Sequence, residues 1–189
     1  MNISIILKFN MKLKKSIIFF FLIFVFPANS STVGTETGLK IPRFISLKTD
    51  EANLRVGSSK NYPIKLKYTI KNIPLEIIDE YDVWRKVVDF EKNEGWIHKS
   101  LIKSERFAVI NLPYEEKVQI FNKPKGKVIG KIGKRNIVKI KKCLKKWCLI
   151  EKNKNKGWVL KINLWGVYDN EKINVPFYQY LINKYWELI

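Results

Sequence analysis

Side chains with reactive potential are few in this sequence: one histidine, His98, two cysteines, Cys143 and Cys148, and a short acidic cluster, Asp79, Glu80 and Asp82. A general base needs a partner to orient it and a nucleophile to serve. No Ser, Cys or Asp motif supplies either to His98, which therefore reads as an ordinary surface residue. A redox pair would more naturally be spaced Cys-x-x-Cys, and a structural zinc site needs about four ligands. Asp79, Glu80 and Asp82 fall in an expected hairpin turn, where a solvated loop is the simpler role. No glycine-rich phosphate cradle is present. These residue types predict a protein that is not an enzyme and that carries no metal and no cofactor.

Charge is the stronger signal. The 189 residues carry 36 basic and 17 acidic side chains, for a formal net charge of +19. Residues 43–103 hold twelve basic and nine acidic groups, whereas residues 123–156 hold fourteen basic groups and one acid, Glu151. Such a block attracts anionic surfaces. Lys141, Lys142, Lys145 and Lys146 dominate it, with Ile140 and Leu144 expected to point inward between them. The competing explanation is compositional, because 31 of the 36 basic residues are Lys. The five Arg (Arg43, Arg55, Arg85, Arg106, Arg135) are too scattered for a phosphate-reading cluster.

The elements that must position these groups begin after a targeting segment. Lys12, Lys14 and Lys15 precede an apolar run from Ile17 to Phe26, followed by Pro27-Ala28-Asn29-Ser30. This is the pattern of a secretory signal, with cleavage expected after Ser30. The run is about half the length needed to span a bilayer. Residues 31–42 are small, polar and unpatterned and read as a linker. From Arg43 on, short alternating apolar runs predict strands at Phe44–Leu47, Asn53–Val56, Ile64–Ile70, Leu75–Asp79, Trp84–Phe90 and Glu94–Ile97. Strands this short with frequent turns indicate a mainly β sandwich or small barrel.

The same order then returns. Trp84 and Gly95-Trp96 match Trp147 and Gly157-Trp158 at an offset of 62 or 63 residues, and Leu54-Arg55-Val56 matches Val118-Gln119-Ile120 at 64. Self-similarity of this kind indicates a duplicated unit. The units are 43–104 and 105–168. Leu54 and Val56 are expected on the buried face of their strand, and Gly57, Gly95 and Gly157 at tight turns.

Ala52-Asn53-Leu54-Arg55-Val56-Gly57-Ser58-Ser59, Tyr62-Pro63-Ile64, Trp84 and Gly95-Trp96-Ile97 resemble the bacterial SH3-like domain. That family opens on an N-x-R-x-G-P-S stretch and closes on G-W-V. Ser58 replaces the usual Pro, and the second unit keeps Gly157-Trp158-Val159 but has Gln119 for the Arg and no Gly-Pro-Ser turn. A signal followed by two such units, ending in Leu164-Trp165-Gly166-Val167-Tyr168, is similar to exported proteins of Gram-negative bacteria. The resemblance implies two tandem SH3-like barrels and a binding role in the periplasm or cell envelope. The partner it implies is peptidoglycan or another anionic or peptide component, with a scaffold for envelope proteins as the alternative. Export argues against nucleic acid.

Trp84, Trp96, Trp147 and Trp158 are candidates for core packing or ligand contact. Tyr62, Tyr81 and Trp165 lie near loops and are candidates for an exposed aromatic surface. Cys143 and Cys148 bracket the hairpin matching the one before Trp84, so an oxidising compartment predicts a disulfide between them. Residues 169–189 read as a helical tail: Asn174 as cap, Pro176 in the first turn, and Phe177, Leu181 and Tyr185 recurring at four-residue steps. Its broad apolar face suits docking on the second barrel, or else a partner or membrane surface.

Overall fold

The computed structural model describes residues 32–112 and 116–176. The expected signal segment and residues 177–189, where most of the expected helix falls, lie outside the described residues.

The first half of the chain forms β3 (Arg43–Leu47), β4 (Ala52–Arg55), β5 (Ile64–Tyr68), β6 (Pro74–Tyr81), β7 (Trp84–Val88), β8 (Glu94–His98) and β9 (Ile102–Lys103). The second half forms β10 (Phe107–Ile110), β11 (Lys117–Phe121), β12 (Val128–Gly133), β13 (Ile137–Cys143), β14 (Trp147–Lys152), β15 (Asn155–Leu160) and β16 (Leu164–Trp165). A one-turn 3-10 segment precedes β9 and another precedes β16. The six strands expected in the first half are all present, with ends shifted by a few residues.

Duplication is visible in the topology. The two seven-stranded antiparallel sheets run β5-β4-β8-β7-β6-β3-β9 and β12-β11-β15-β14-β13-β10-β16, the same order in each half. Each sheet curls around its own apolar core. Leu47, Leu54, Leu75, Ile77, Val87 and Ile97 fill the first, and Ala108, Ile110, Val138, Ile140, Ile150 and Val159 fill the second. Alternation along β4 shows how the sequence selects the buried face. Ala52 and Leu54 point in while Asn53 and Arg55 stay half-exposed, as period-two geometry requires. β4 ends at Arg55, and Val56, expected in the core, lies beyond the strand and is 54% exposed.

Cross-strand register corrects the repeat alignment. Arg55 pairs with Trp96, and Phe121 pairs with Trp158. The offset in this strand is therefore 66 residues rather than 64, and Arg55 is matched by Phe121 instead of Gln119. The glycines agree. A Cβ at Gly95 would lie 2.7 Å from the carbonyl oxygen of Arg55, and one at Gly157 would lie 3.4 Å from that of Phe121. These residues are glycine because one strand passes close over another, not because a turn requires it.

Two segments outside the repeats are anchored to them. Residues 31–42, expected as linker, carry a hairpin of β1 (Thr32–Val33) and β2 (Lys40–Ile41). Beyond β16, Ile173 bridges to Cys143 in both directions. Asn174, expected as a helix cap, has a left-handed backbone (φ 49°) and donates its side-chain amide to the Lys141 carbonyl at 3.0 Å. Val175 and Pro176 are not helical.

Between the barrels the contacts are partly exchanged. Phe44 of β3 meets the Trp165 ring edge-on at 5.1 Å, and Phe107 of β10 lies under the Lys103 ammonium at 4.9 Å. Glu76 accepts from the Tyr168 hydroxyl at 2.7 Å. Glu105, in the connection, accepts from Lys103 at 2.7 Å and pairs with Lys139. Hydrogen bonds from both ammonium groups hold its carboxyl down at about 2. Trp165 is therefore part of the inter-barrel contact and not the exposed ligand surface expected of it.

Candidate functional site

A groove of roughly 470 Å³ opens on the first barrel, and Ala52, Asn53 and Arg55 of the motif that opens the repeat form part of its wall. Asn53 and Arg55 project into it because they occupy the outward phase of β4, while Lys60 and Ile64 reach it from the loop and strand that follow. Trp84 and His98 form a cross-strand pair from β7 and β8, with their rings in edge contact at 5.5 Å. Trp84 is buried and lines the groove, and it is not among the residues that fill the core of the first barrel.

Arg55 is fixed rather than swinging freely, because one guanidinium nitrogen donates to the Tyr62 carbonyl at 2.7 Å. The Tyr62 ring folds back over Gly57, where a Cβ would sit 2.6 Å from ring carbons. Gly57 is thus needed for this close approach, since its φ is not left-handed. His98 Nδ1 is engaged by Ser100, accepting from its backbone N–H at 3.2 Å and lying 2.7 Å from its hydroxyl. That leaves Nε2 as the remaining polar atom of the ring. Lys67 lines the far end and pairs with Glu51 at 2.9 Å. The groove therefore has a cationic rim of Arg55, Lys60 and Lys67 against one acid, Glu51, over an aromatic floor. Such an arrangement is chemically suited to an anionic group, through charge and charge-assisted hydrogen bonds.

The other expected site residues are dispersed. Tyr81 is 61% exposed at the β6–β7 turn and lies outside the groove lining. Lys145 and Lys146 are exposed at the β13–β14 turn. Lys141 and Lys142 are half-buried on β13, where a register shift between Ile140 and Lys142 interrupts the alternation. Ile140 is buried as expected and Leu144 half-buried. Lys141 lies 3.8 Å from Glu151. Cys143 and Cys148 form the expected disulfide, with sulfurs 2.00 Å apart.

Glu80 was not legible as a site residue. Expected in a solvated turn, its side chain is fully buried. Arg43 pairs with it, and the Arg85 Nε lies 3.5 Å away. The backbone N–H groups of Glu36 and Thr37 donate to it at 3.2 and 2.9 Å, and the Thr37 hydroxyl at 2.9 Å. Burial alone would raise this carboxyl, but the hydrogen bonds of Arg43 and Thr37 and the charges of Arg43 and Arg85 hold it below the usual carboxylate range. Two arginines judged too scattered in sequence do converge, on a carboxylate of the protein itself. Among the described residues, no group of three or more His, Cys, Asp or Glu side chains is arranged to hold a metal ion. No helix among them is long and apolar enough to cross a membrane.

Among solved structures, the chain is similar to NlpC2 and NlpC1 from Trichomonas vaginalis. Each is 12% identical with a TM-score of 0.31 and covers 70% of this chain, while 51% and 48% of those two chains are covered. The chain thus spans about half the length of these structures. No curated protein matches it. The family model of the bacterial SH3 domain matches residues 48–104 and 115–166, one segment on each barrel. Since those two segments make up more than half of the sequence, this chain belongs to the bacterial SH3 domain family, which it contains twice in tandem.

Proposed function

We propose that the protein is a non-catalytic binding module of the cell envelope, whose first barrel holds an anionic segment of peptidoglycan in the groove of Arg55, Lys60, Trp84 and His98. The observation that carries this reading is the composition of that groove: three cations on the rim, an aromatic pair on the floor, and Arg55 already oriented by the Tyr62 carbonyl. Peptidoglycan offers carboxylates on its peptide stems, which suit the oriented Arg55 guanidinium and the neighbouring ammonium groups. Export, read from the basic and apolar residues before Ser30, brings the two together. Membership in the bacterial SH3 family supports binding rather than catalysis.

Retention on purified sacculi tests the reading. The wild-type chain should bind saturably, and Arg55→Gln should weaken binding about tenfold, the effect of losing a charged hydrogen bond of roughly 1.5 kcal/mol. Retention that is unchanged by Arg55→Gln would reject the groove. Capture of specific envelope proteins without sacculi would instead assign the module to scaffolding.

A further inference from the structure

The second barrel has the same groove positions filled with different chemistry. Trp84 pairs with His98 in the first barrel, and Trp147 pairs with Leu160 in the second. Arg55 is replaced by Phe121, whose ring stands edge-on to Trp147 at 5.1 Å. Phe121 is in turn the cross-strand partner of Val128. One residue beyond the match to Lys99, the polar Ser100 becomes Ile162.

Val128, Phe121, Trp147, Leu160 and Ile162 consequently follow one another across the barrel surface. Val128 is 48%, Leu160 37% and Ile162 82% exposed. Scattered apolar side chains are ordinary on a protein surface, but a connected run marks a contact site. Cations border it on two sides. Lys145 and Lys146 share a shallow depression with Leu160 and Ile162. Lys123, Lys125 and Lys127 are exposed in the β11–β12 loop, next to Val128.

We propose that this strip is a membrane-surface contact, which lays Trp147, Leu160 and Ile162 into the headgroup boundary of an anionic bilayer while the flanking lysines meet lipid phosphates. Charge complementarity selects the partner: residues 123–156 carry fourteen basic groups and one acid. The type of cation selects a surface over an acidic peptide. Specific carboxylate recognition favours the planar fork of Arg, whereas Lys is a solvated point charge on a flexible stem. Both arginines of the second barrel are committed elsewhere, Arg106 to Glu171 and Arg135 to Glu91 at 3.3 Å. What remains is aromatic and aliphatic surface with lysines on two sides and one acid, Asp169, at its edge, the composition of an interfacial membrane contact.

Co-sedimentation with vesicles tests this. The protein is the chain from Ser31 onward, which contains both barrels with their cores, and the vesicles are phosphatidylglycerol–phosphatidylcholine or phosphatidylcholine alone. Binding is expected on the anionic vesicles only. Lys145→Gln and Lys146→Gln should each weaken it about fivefold, and the pair Leu160→Gln with Ile162→Gln about tenfold. These positions are exposed, so folding is retained, and Lys92→Gln on the first barrel serves as the control that leaves binding unchanged. Residues 177–189 are common to every variant. Equal binding to both vesicles, no binding to either, or binding insensitive to Leu160 and Ile162 would overturn the proposal. Capture by polyglutamate without vesicle binding would overturn it in favour of an acidic protein partner.

Discussion

The two barrels share one strand order, yet they solve the same structural problem with different bonds. Glu80 is cross-strand partner to Arg85 in the first barrel, and Cys143 is cross-strand partner to Cys148 at the matching place in the second. Each pair sits beside the β-turn of the central hairpin, and each receives a segment from outside the repeat. The β1–β2 hairpin lays its backbone N–H groups on Glu80, and Ile173 bridges to Cys143. The starting arginine of each barrel follows the same logic: Arg43 of β3 pairs with Glu80 of β6 within its own barrel, while Arg106 reaches Glu171 in the tail. Near that pair, Lys161 is buried and donates to the Asp169 and Glu171 carbonyls at 2.9 and 2.8 Å. Duplication thus preserved the sheet and left the staple free to change. An ion cluster depends on protonation and a disulfide on redox state, so the two halves should fail under different conditions.

The largest expected effect comes from breaking the ion cluster. Glu80→Ala leaves the buried Arg85 and the mostly buried Arg43 without their carboxylate, which should cost about 3–5 kcal/mol. Removing the disulfide with Cys143→Ser and Cys148→Ser should cost about 2 kcal/mol, because it closes so short a loop. Urea unfolding of both variants checks the ranking. A disulfide variant that loses more than Glu80→Ala would invert the comparison.

Acid separates the two staples next. The Glu80 carboxyl is held below its ordinary value in the folded chain, as are Glu105 and Glu171. Their contributions are therefore complete above the unfolded value, near 4.3, and are lost as pH falls through the folded values. Stability should be flat from neutral pH down to about 5 and decline below about 4. Glu80→Gln should flatten part of that decline, and reduction of the disulfide should leave its shape unchanged. Thermal unfolding at a series of pH values reads both. A decline unaltered in Glu80→Gln would remove Glu80 from the acid response.

A smaller difference lies at the crossing glycines. Gly95→Ala places its Cβ 2.7 Å from the backbone oxygen of Arg55, whereas at Gly157 the nearest atom is a side-chain methyl of Ile120 and the backbone oxygen is 3.4 Å away. Overpacking of this kind costs about 1–3 kcal/mol, and the lower end applies where a side chain can give way. Gly95→Ala should thus be the more damaging of the two by unfolding midpoint. Equal losses would mean that the strands approach alike in both barrels.

Most strands were legible because apolar alternation reports directly which face is buried, and the Trp and Gly-Trp positions carried the repeat. The proposed groove was only half legible. Arg55 and Tyr62 stood in the motif, but His98 had no sequence neighbour to suggest a role, and it gains one only by pairing with Trp84 across strands. Glu80 was hidden for the same reason. Its partners Thr37 and Arg43 are about forty residues away, the first in a stretch without pattern and the second at the start of a strand, and beside Asp79 and Asp82 it looked like one more turn acid. The match of Arg55 was hidden too. It is Phe121, two residues beyond Gln119, and only the cross-strand partners Trp96 and Trp158 reveal it.

That last substitution supplies the finest test of the comparison. Arg55→Phe with His98→Leu gives the first barrel the groove residues of the second. Neither position is in a core, so the change in stability should be under about 1 kcal/mol. The new Phe can stand against Trp84 as Phe121 stands against Trp147, an edge contact worth about 0.5–1.5 kcal/mol that offsets the lost bond from Arg55 to the Tyr62 carbonyl. Binding should change far more than stability. Retention of the chain on sacculi should fall at least tenfold, because the oriented guanidinium is gone while the fold is intact. If the double variant keeps both its unfolding midpoint and its retention, the two grooves are interchangeable, and the residues that distinguish Arg55 from Phe121 do not decide what this protein binds.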